Sequence, residues 1–183
     1  MKVVGVVGLP ASGKGEFSRV AREMGIPVVV MGDQIRQAVL RSGKEPTDEN
    51  LGGMGNRLRE ERGMDAIAAL CVPVIRQQTS PLVVIDGIRG IAEVRTFRIS
   101  FPDFYLIGIR ASFPIRLQRL RDRKRSDDSC HEEDLIQRDA RESAWGLEEA
   151  LREEDCTLPN EEDLASFQVR VKALLTRLRR EAS

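Results

Sequence analysis

Apolar residues follow two rhythms along this chain. Short unbroken runs at residues 3–7, 27–31, 82–86, 104–110 and, more weakly, 155–159 have the length and β-branched content of strands buried on both faces. Between them, apolar positions recur at helical spacing. They predict helices over residues 13–24, 33–42, 48–62, 66–77, 91–100, 114–123, 132–152 and 162–180. Strands alternating with helices predict an α/β protein with a mostly parallel sheet. Asp33 and either Thr47 or Asp48 are placed to cap their helices, and Ser112-Phe113-Pro114 reads as a cap followed by Pro in the first turn. No repeat, low-complexity tract or long linker divides the 183 residues, so one domain is expected. Residues 32–65 and 119–138 are more polar than sheet-covering helices need be. We read them as an insertion and a short lid above the carboxyl ends of the strands, where open α/β sheets bind ligands.

Composition narrows the function classes. Twenty-nine Lys and Arg balance 29 Asp and Glu, so no global field argues for nucleic acid or a membrane surface. The apolar runs are strand-sized, far below the roughly 20 residues of a bilayer span, and the N-terminal one lacks a signal-peptide design; a cytoplasmic location is the expectation. Cys71, Cys130 and Cys156 are odd in number and widely spaced, and His131 is the sole histidine. That excludes a four-ligand zinc site and points to free thiols.

The run 3–7 leads into Gly8-Leu-Pro10-Ala11-Ser12-Gly13-Lys14-Gly15-Glu16 and then a helix. A strand, a glycine-rich loop and a helix N-terminus make a phosphate cradle. Gly8 and Gly13 let the backbone turn tightly so that N–H groups converge on one anion, the helix N-terminus favours negative charge, and Lys14 supplies a mobile ammonium. The bland alternative is a turn that binds nothing. The common motif places Ser or Thr after the lysine to reach magnesium, whereas this chain has Gly15 and Glu16. The ion would then be held by phosphates, waters and a carboxylate elsewhere.

Asp86 ends the third apolar run and is the candidate for that carboxylate, directly or through water; otherwise it caps a turn. Asp33, Arg36 and Arg89 also fall at strand ends, where two guanidinium forks can clamp a second phosphate. A third cluster holds Arg116, Arg119, Arg121, Arg123, Lys124 and Arg125, with Arg138 further on. Arg119 and Arg123 stand at i, i+4, an arrangement that repels unless an anion visits or Asp122, Asp127 and Asp128 balance a solvated face.

Together these clusters resemble the nucleoside monophosphate kinases, adenylate kinase above all, and the chain as a whole resembles a largely archaeal family of nucleotide-kinase-like proteins related to it. The loop matches the Gly-x-Pro-x-x-Gly-Lys-Gly form of that branch, with Glu16 in place of its Thr. Gly32-Asp33-Gln-Ile-Arg36 resembles the acceptor-binding helix start, Ile85-Asp86-Gly87-Ile88-Arg89 the turn carrying an acceptor arginine, Arg119 and Arg123 the pair entering the lid, and Arg125-Ser-Asp127-Asp128 with Arg138 the segment leaving it. The archaeal resemblance adds Ser143-Ala-Trp145-Gly146, with Trp145 expected in the core. The resemblance implies a P-loop three-layer α/β/α fold with a five-stranded parallel sheet, and ATP and Mg2+ as cofactors. It also implies transfer of the γ-phosphate to a nucleoside monophosphate, AMP or GMP. Where adenylate kinases read adenine with Gln, this chain has Glu93, an acceptor-only group suited to guanine. The rivals are a dephospho-CoA kinase, which shares a Gly-Ile-Pro-Val strand but usually follows it with Asp-x-Asp, and a nucleotide-hydrolysing switch with a protein partner. Oligomeric state is left open.

Overall fold

The computed structural model describes residues 1–123 and 132–182; of Asp48 and Arg123 only the backbone is described. The elements are β1 (Lys2–Val7), α1 (Lys14–Glu23), β2 (Val28–Val30), α2 (Met31–Arg41), α3 (Asp48–Arg62), α4 (Ala66–Arg76), β3 (Leu82–Asp86), α5 (Ile91–Ser100), β4 (Phe104–Arg110), α6 (Phe113–Arg123), α7 (Glu132–Ala144), α8 (Leu147–Arg152), β5 (Cys156–Pro159) and α9 (Leu164–Glu181). The five strands form one parallel sheet in the order β2-β3-β1-β4-β5.

The unbroken apolar runs follow from burial on both faces of this sheet. In β1, Val3 and Val7 join Val83, Ile85, Ile67, Cys71, Val94, Phe97 and Leu147 on the face covered by α4, α5 and α8. Val4 and Val6 join Val84, Ile107, Phe17, Val20, Phe167 and Leu175 on the face covered by α1 and α9. Each such fully buried side chain contributes roughly 1.5–3 kcal/mol. Phe97 and Phe104 stack with ring centroids 5.8 Å apart. Parallel register then aligns the strand ends that matter: Val6 lies opposite Asp86, and Asp86 opposite Val30. Every strand therefore delivers its C-terminal residue to one edge.

Three expectations are corrected. The stretch 132–152 is two helices, because Gly146 takes φ +85° and turns the chain between α7 and α8. Asp33 is no cap: α2 starts at Met31, directly after β2, and Asp33 sits in its first turn, where a carboxylate still suits the helix dipole. The last helix begins at Leu164, two residues late, because Asp163 caps it by accepting from the Ser166 N–H at 2.9 Å. Thr47 is the cap of α3, accepting from the Asn50 N–H at 3.3 Å. Ser112 precedes α6 as expected and its carbonyl accepts the first helical bond from the Arg116 N–H, while its hydroxyl donates to Glu161 at 2.8 Å. Among the described residues no helix is long and apolar enough to cross a membrane.

Candidate phosphate-transfer site

β1 hands the chain to a loop of residues 8–13, and α1 opens at Lys14. Gly13 takes φ +117° and Ala11 φ +61°, so the loop alternates hand, as anion-binding nests do. Gly8 needs no left-handed backbone; it is small because a Cβ there would lie 2.6 Å from the Ile109 carbonyl oxygen and from Ser12 Oγ. The Lys14 ammonium donates to the Gly8 carbonyl and, at 3.0 Å, to that of Leu9. Burial lowers its pKa from 10.5 to about 8. The charges of Glu142 and Asp86 oppose the shift, whereas Arg89 and Arg116 add to it. Lys14 thus feels the charges of two carboxylates and two guanidinium groups drawn from β3, the turn after it, α6 and α7.

Asp86, at the end of β3, accepts from Ser18 Oγ at 2.7 Å. Ser18 lies one helical turn beyond Lys14, so α1 supplies a hydroxyl from later in the helix than the common motif does. A carboxylate with a hydroxyl beside a phosphate loop is the hard oxygen set magnesium takes, and the ion needs only one or two protein ligands beside phosphates and waters. No group of three or more His, Cys, Asp and Glu side chains suited to a metal exists among the described residues. Cys71 is a buried free thiol pushed up to about 12, chiefly by burial and then by the charges of Glu93 and Asp33, and is chemically inert. Glu16 stands apart from the loop: its carboxylate accepts from Arg19 at 2.6 and 2.9 Å and from Gln168 of α9 at 2.7 Å.

Two arginines of α6 brace the loop. Arg116, 3% exposed, donates to the Pro10 carbonyl at 3.1 Å and forms a bidentate pair with Asp139 of α7 at 2.8 and 2.6 Å. Arg119 donates to the carbonyl and Oδ1 of Asn160 at 2.9 and 3.0 Å, and Asn160 in turn donates to the Ser12 carbonyl at 2.8 Å. Burial lowers the Arg119 pKa, against the charge of Glu161. Among the described residues, buried polar atoms without a hydrogen-bond partner include Ser12 Oγ, Arg116 Nε, Arg119 Nη1 and Glu142 Oε2. These four belong to the loop or to residues tied to it or to Lys14; Glu154 Oε2 and Arg170 Nε are likewise without a partner elsewhere. Each such atom costs roughly 1–3 kcal/mol unless a ligand or solvent satisfies it.

On the side of β3, Arg89 pairs with the buried Glu142 of α7 and lies 5.7 Å from the Trp145 ring centroid. Arg59 from α3 and Arg141 from α7 approach the same ring, at 4.8 and 5.8 Å. Trp145 is therefore half-buried under three guanidinium groups rather than set in the core. Glu93 is 2% exposed; its oxygens accept from the Arg89 N–H at 2.7 Å and from Arg59 at 3.4 Å, and burial raises its pKa. A base would have to displace Arg59 to reach it, so the expected guanine contact gives way to a tie between α3, α5 and the turn after β3.

Of the anticipated residues, the structure brings Lys14, Asp86 and Arg89 into one electrostatic neighbourhood, and Arg119 is tied to the same loop through Asn160. Asp33 and Arg36 are exposed on α2, outside this network. Arg138 is half-buried on α7, one turn before Glu142. The Arg123 side chain and Arg125 lie outside the described residues. Sequence reasoning passed over Ser18, Arg59, Asp139, Glu142 and Asn160. Two of them had a signal: Glu142 falls seven residues after buried Leu135 and hence on the same face of α7, and Asn160 follows the last strand at the ligand-binding edge.

Comparison with known proteins bears on the family and the fold. A family model described as an AAA domain matches residues 7–136. A UPF0200 protein of Methanoregula boonei is 60% identical over 181 residues, covering 99% of this chain and 100% of its own length. One from Methanoculleus marisnigri is 54% identical over 178 residues and 97% of both chains. Among solved structures, TT1252 from Thermus thermophilus superposes with a TM-score of 0.65 at 18% identity, over 97% of each chain. Shikimate kinase from Bacteroides thetaiotaomicron does so with a TM-score of 0.61 at 14% identity, over 97% of this chain and 98% of that one. At such identities the likeness is one of fold alone.

Proposed function

We propose that this chain, which belongs to the UPF0200 family and carries its P-loop kinase-like fold, is an ATP-dependent phosphotransferase whose acceptor is a nucleoside monophosphate, AMP or GMP. One observation carries the reading: Arg89, in the turn after the neighbouring strand β3, pairs with Glu142, and the charges of both act on Lys14 of the cradle. A hydrolytic switch can use an arginine over its γ-phosphate but has little use for an acceptor clamp, whereas transfer between two phosphates needs a cation for each.

In this reading the loop amides and Lys14 hold the β- and γ-phosphates, with Pro10, Ala11, Ser12, Gly13 and Gly15 shaping the cradle. Asp86, with Ser18, would hold magnesium, which when bound neutralises charge on the phosphates. Arg89 places the acceptor phosphate, with Asp33 and Arg36 of α2 completing that side as residues 32–65 close. Arg119 and Arg138 would lower the barrier by charge alone, with Arg123 and Arg125, whose side chains lie outside the described residues, as the further candidates. Exclusion of water by that closure favours transfer over hydrolysis. A cytoplasmic setting, where ATP is supplied, accompanies this role.

The test is ATP turnover with AMP, GMP, the other common monophosphates and dephospho-CoA, read by the identity of the phosphorylated product. A nucleoside diphosphate product that disappears with Lys14→Ala is expected. Phosphorylation of dephospho-CoA alone, or ADP release indifferent to every acceptor, would overturn the assignment.

A further inference from the structure

We propose that Glu142 is an internal stand-in for the acceptor's phosphate: a buried carboxylate on α7 that occupies Arg89 until a phosphate monoester displaces it, thereby setting acceptor affinity and tying acceptor arrival to movement of α7. The inference rests on the reading of Arg89 as the acceptor-phosphate ligand.

Three features single out this carboxylate. It is 6% exposed although it is charged, and only Oε1 is engaged, by Arg89 Nη1; Oε2 is buried without a partner. Carboxylates are seldom so placed for stability, because half of the desolvated group is left unsatisfied. It is paired with Arg89, and its charge also acts on Lys14, more strongly than that of Asp86 does, so one carboxylate answers both the strand-end cation and the cradle's cation. A phosphate bound by Arg89 would have to take over that pairing. Finally, the Arg89 side chain is 42% exposed while that of Glu142 is 7% exposed. A ligand can therefore approach the guanidinium from the open side without first entering the protein.

The consequence is an exchange. Arg89 offers a fork that matches phosphate bidentately, and a phosphate dianion outcompetes a single carboxylate oxygen for it. Once Arg89 turns to the phosphate, Glu142 is left as an uncompensated buried charge beside incoming negative charge, and α7 must shift to release it. That helix also carries Asp139, the bidentate partner of Arg116, and Trp145 follows directly, its carbonyl packed against Gly90. A displacement at Glu142 is thus passed to the loop brace on α6 and to the turn that holds Arg89. The restraint costs acceptor affinity: a charge-assisted bond surrendered on binding corresponds to roughly ten- to a hundredfold in dissociation constant.

The experiment measures KM and kcat for AMP and GMP, with calorimetric binding of the same monophosphates, in wild type, Glu142→Gln, Glu142→Asp and Arg89→Ala. Glu142→Gln keeps the shape and removes the charge, and should tighten monophosphate binding about tenfold while leaving the affinity for adenosine or guanosine unchanged. Glu142→Asp keeps the charge but draws it back from Arg89 by one methylene, and should tighten monophosphate binding less than Glu142→Gln does. A gain of affinity confined to phosphate-bearing ligands is not a result that damaged folding produces. Unchanged or weaker monophosphate binding in a folded Glu142→Gln protein, with Arg89→Ala still weakening it, overturns the stand-in role alone. Binding indifferent to Arg89→Ala overturns the reading beneath it.

Discussion

Lys14 couples nucleotide binding to pH in a way that can be worked out from its surroundings. Its pKa falls from 10.5 to about 8, chiefly because its ammonium is buried. A triphosphate seated in the cradle favours the charged form and should restore the pKa toward its ordinary value. That interval corresponds to about 3 kcal/mol of differential interaction, each pKa unit being roughly 1.4 kcal/mol. Below pH 8 the free protein already holds the proton, so affinity is flat with respect to this group. Above pH 8 the lysine must take up a proton on binding, and affinity falls by about tenfold per pH unit until the bound-state pKa is reached. Phosphate itself has completed its ionisation by then, since its second pKa is about 6.

The ligand-free protein behaves oppositely. Its folded pKa lies below the unfolded one, so the cost of burying the ammonium is present in full below pH 8 and is relieved as pH rises toward 10.5. Calorimetry with ADP in two buffers of different ionisation heat should therefore show uptake of nearly one proton at pH 9 and almost none at pH 7. Lys14→Arg, charged throughout, should show neither. Absence of proton uptake by the wild type at pH 9 would refute the account of the lysine's environment.

The loop and its braces allow two further tests. Asp139→Ala strands Arg116, which is 3% exposed, and should lower stability by about 3 kcal/mol in urea unfolding, at the lower end for a broken buried pair because Asp139 keeps 21% exposure; a loss below about 1 kcal/mol would mean that solvent already screens the pair. Gly13→Ala meets both a φ of +117° and the Asn160 amide nitrogen, so it should break the Asn160–Ser12 bond and weaken ADP binding more than tenfold by fluorescence titration. Gly15→Ala, which faces open space, should leave the fold unaltered, and equal effects at the two positions would contradict the geometry.

Much of the architecture was legible because it is local. β3, β4, α3 and α5 have the boundaries that apolar periodicity and caps suggest, and the phosphate loop announces itself by glycine spacing between a strand and a helix. Errors came where a distant contact overrides the local pattern. The helical rhythm continues through 132–152, yet Gly146 turns so that Trp145 can pack against Gly90 and beneath Arg59. Trp145 reads as core because it is large and apolar, but its neighbours are guanidinium groups brought from α3, β3's turn and α7.

By itself, then, the order of residues determined the strands, the helices, the loop and the edge at which ligands would gather, since backbone propensity and hydrophobic period act over a few residues. Only the tertiary structure decided which of 29 basic residues matter and which carboxylates answer them. Arg89 with Glu142, Arg116 with Asp139 and Arg119 with Asn160 are pairings across 53, 23 and 41 positions. Charge identity is written in the chain, but burial and partner, which set what a charge can do, are properties of the packed molecule.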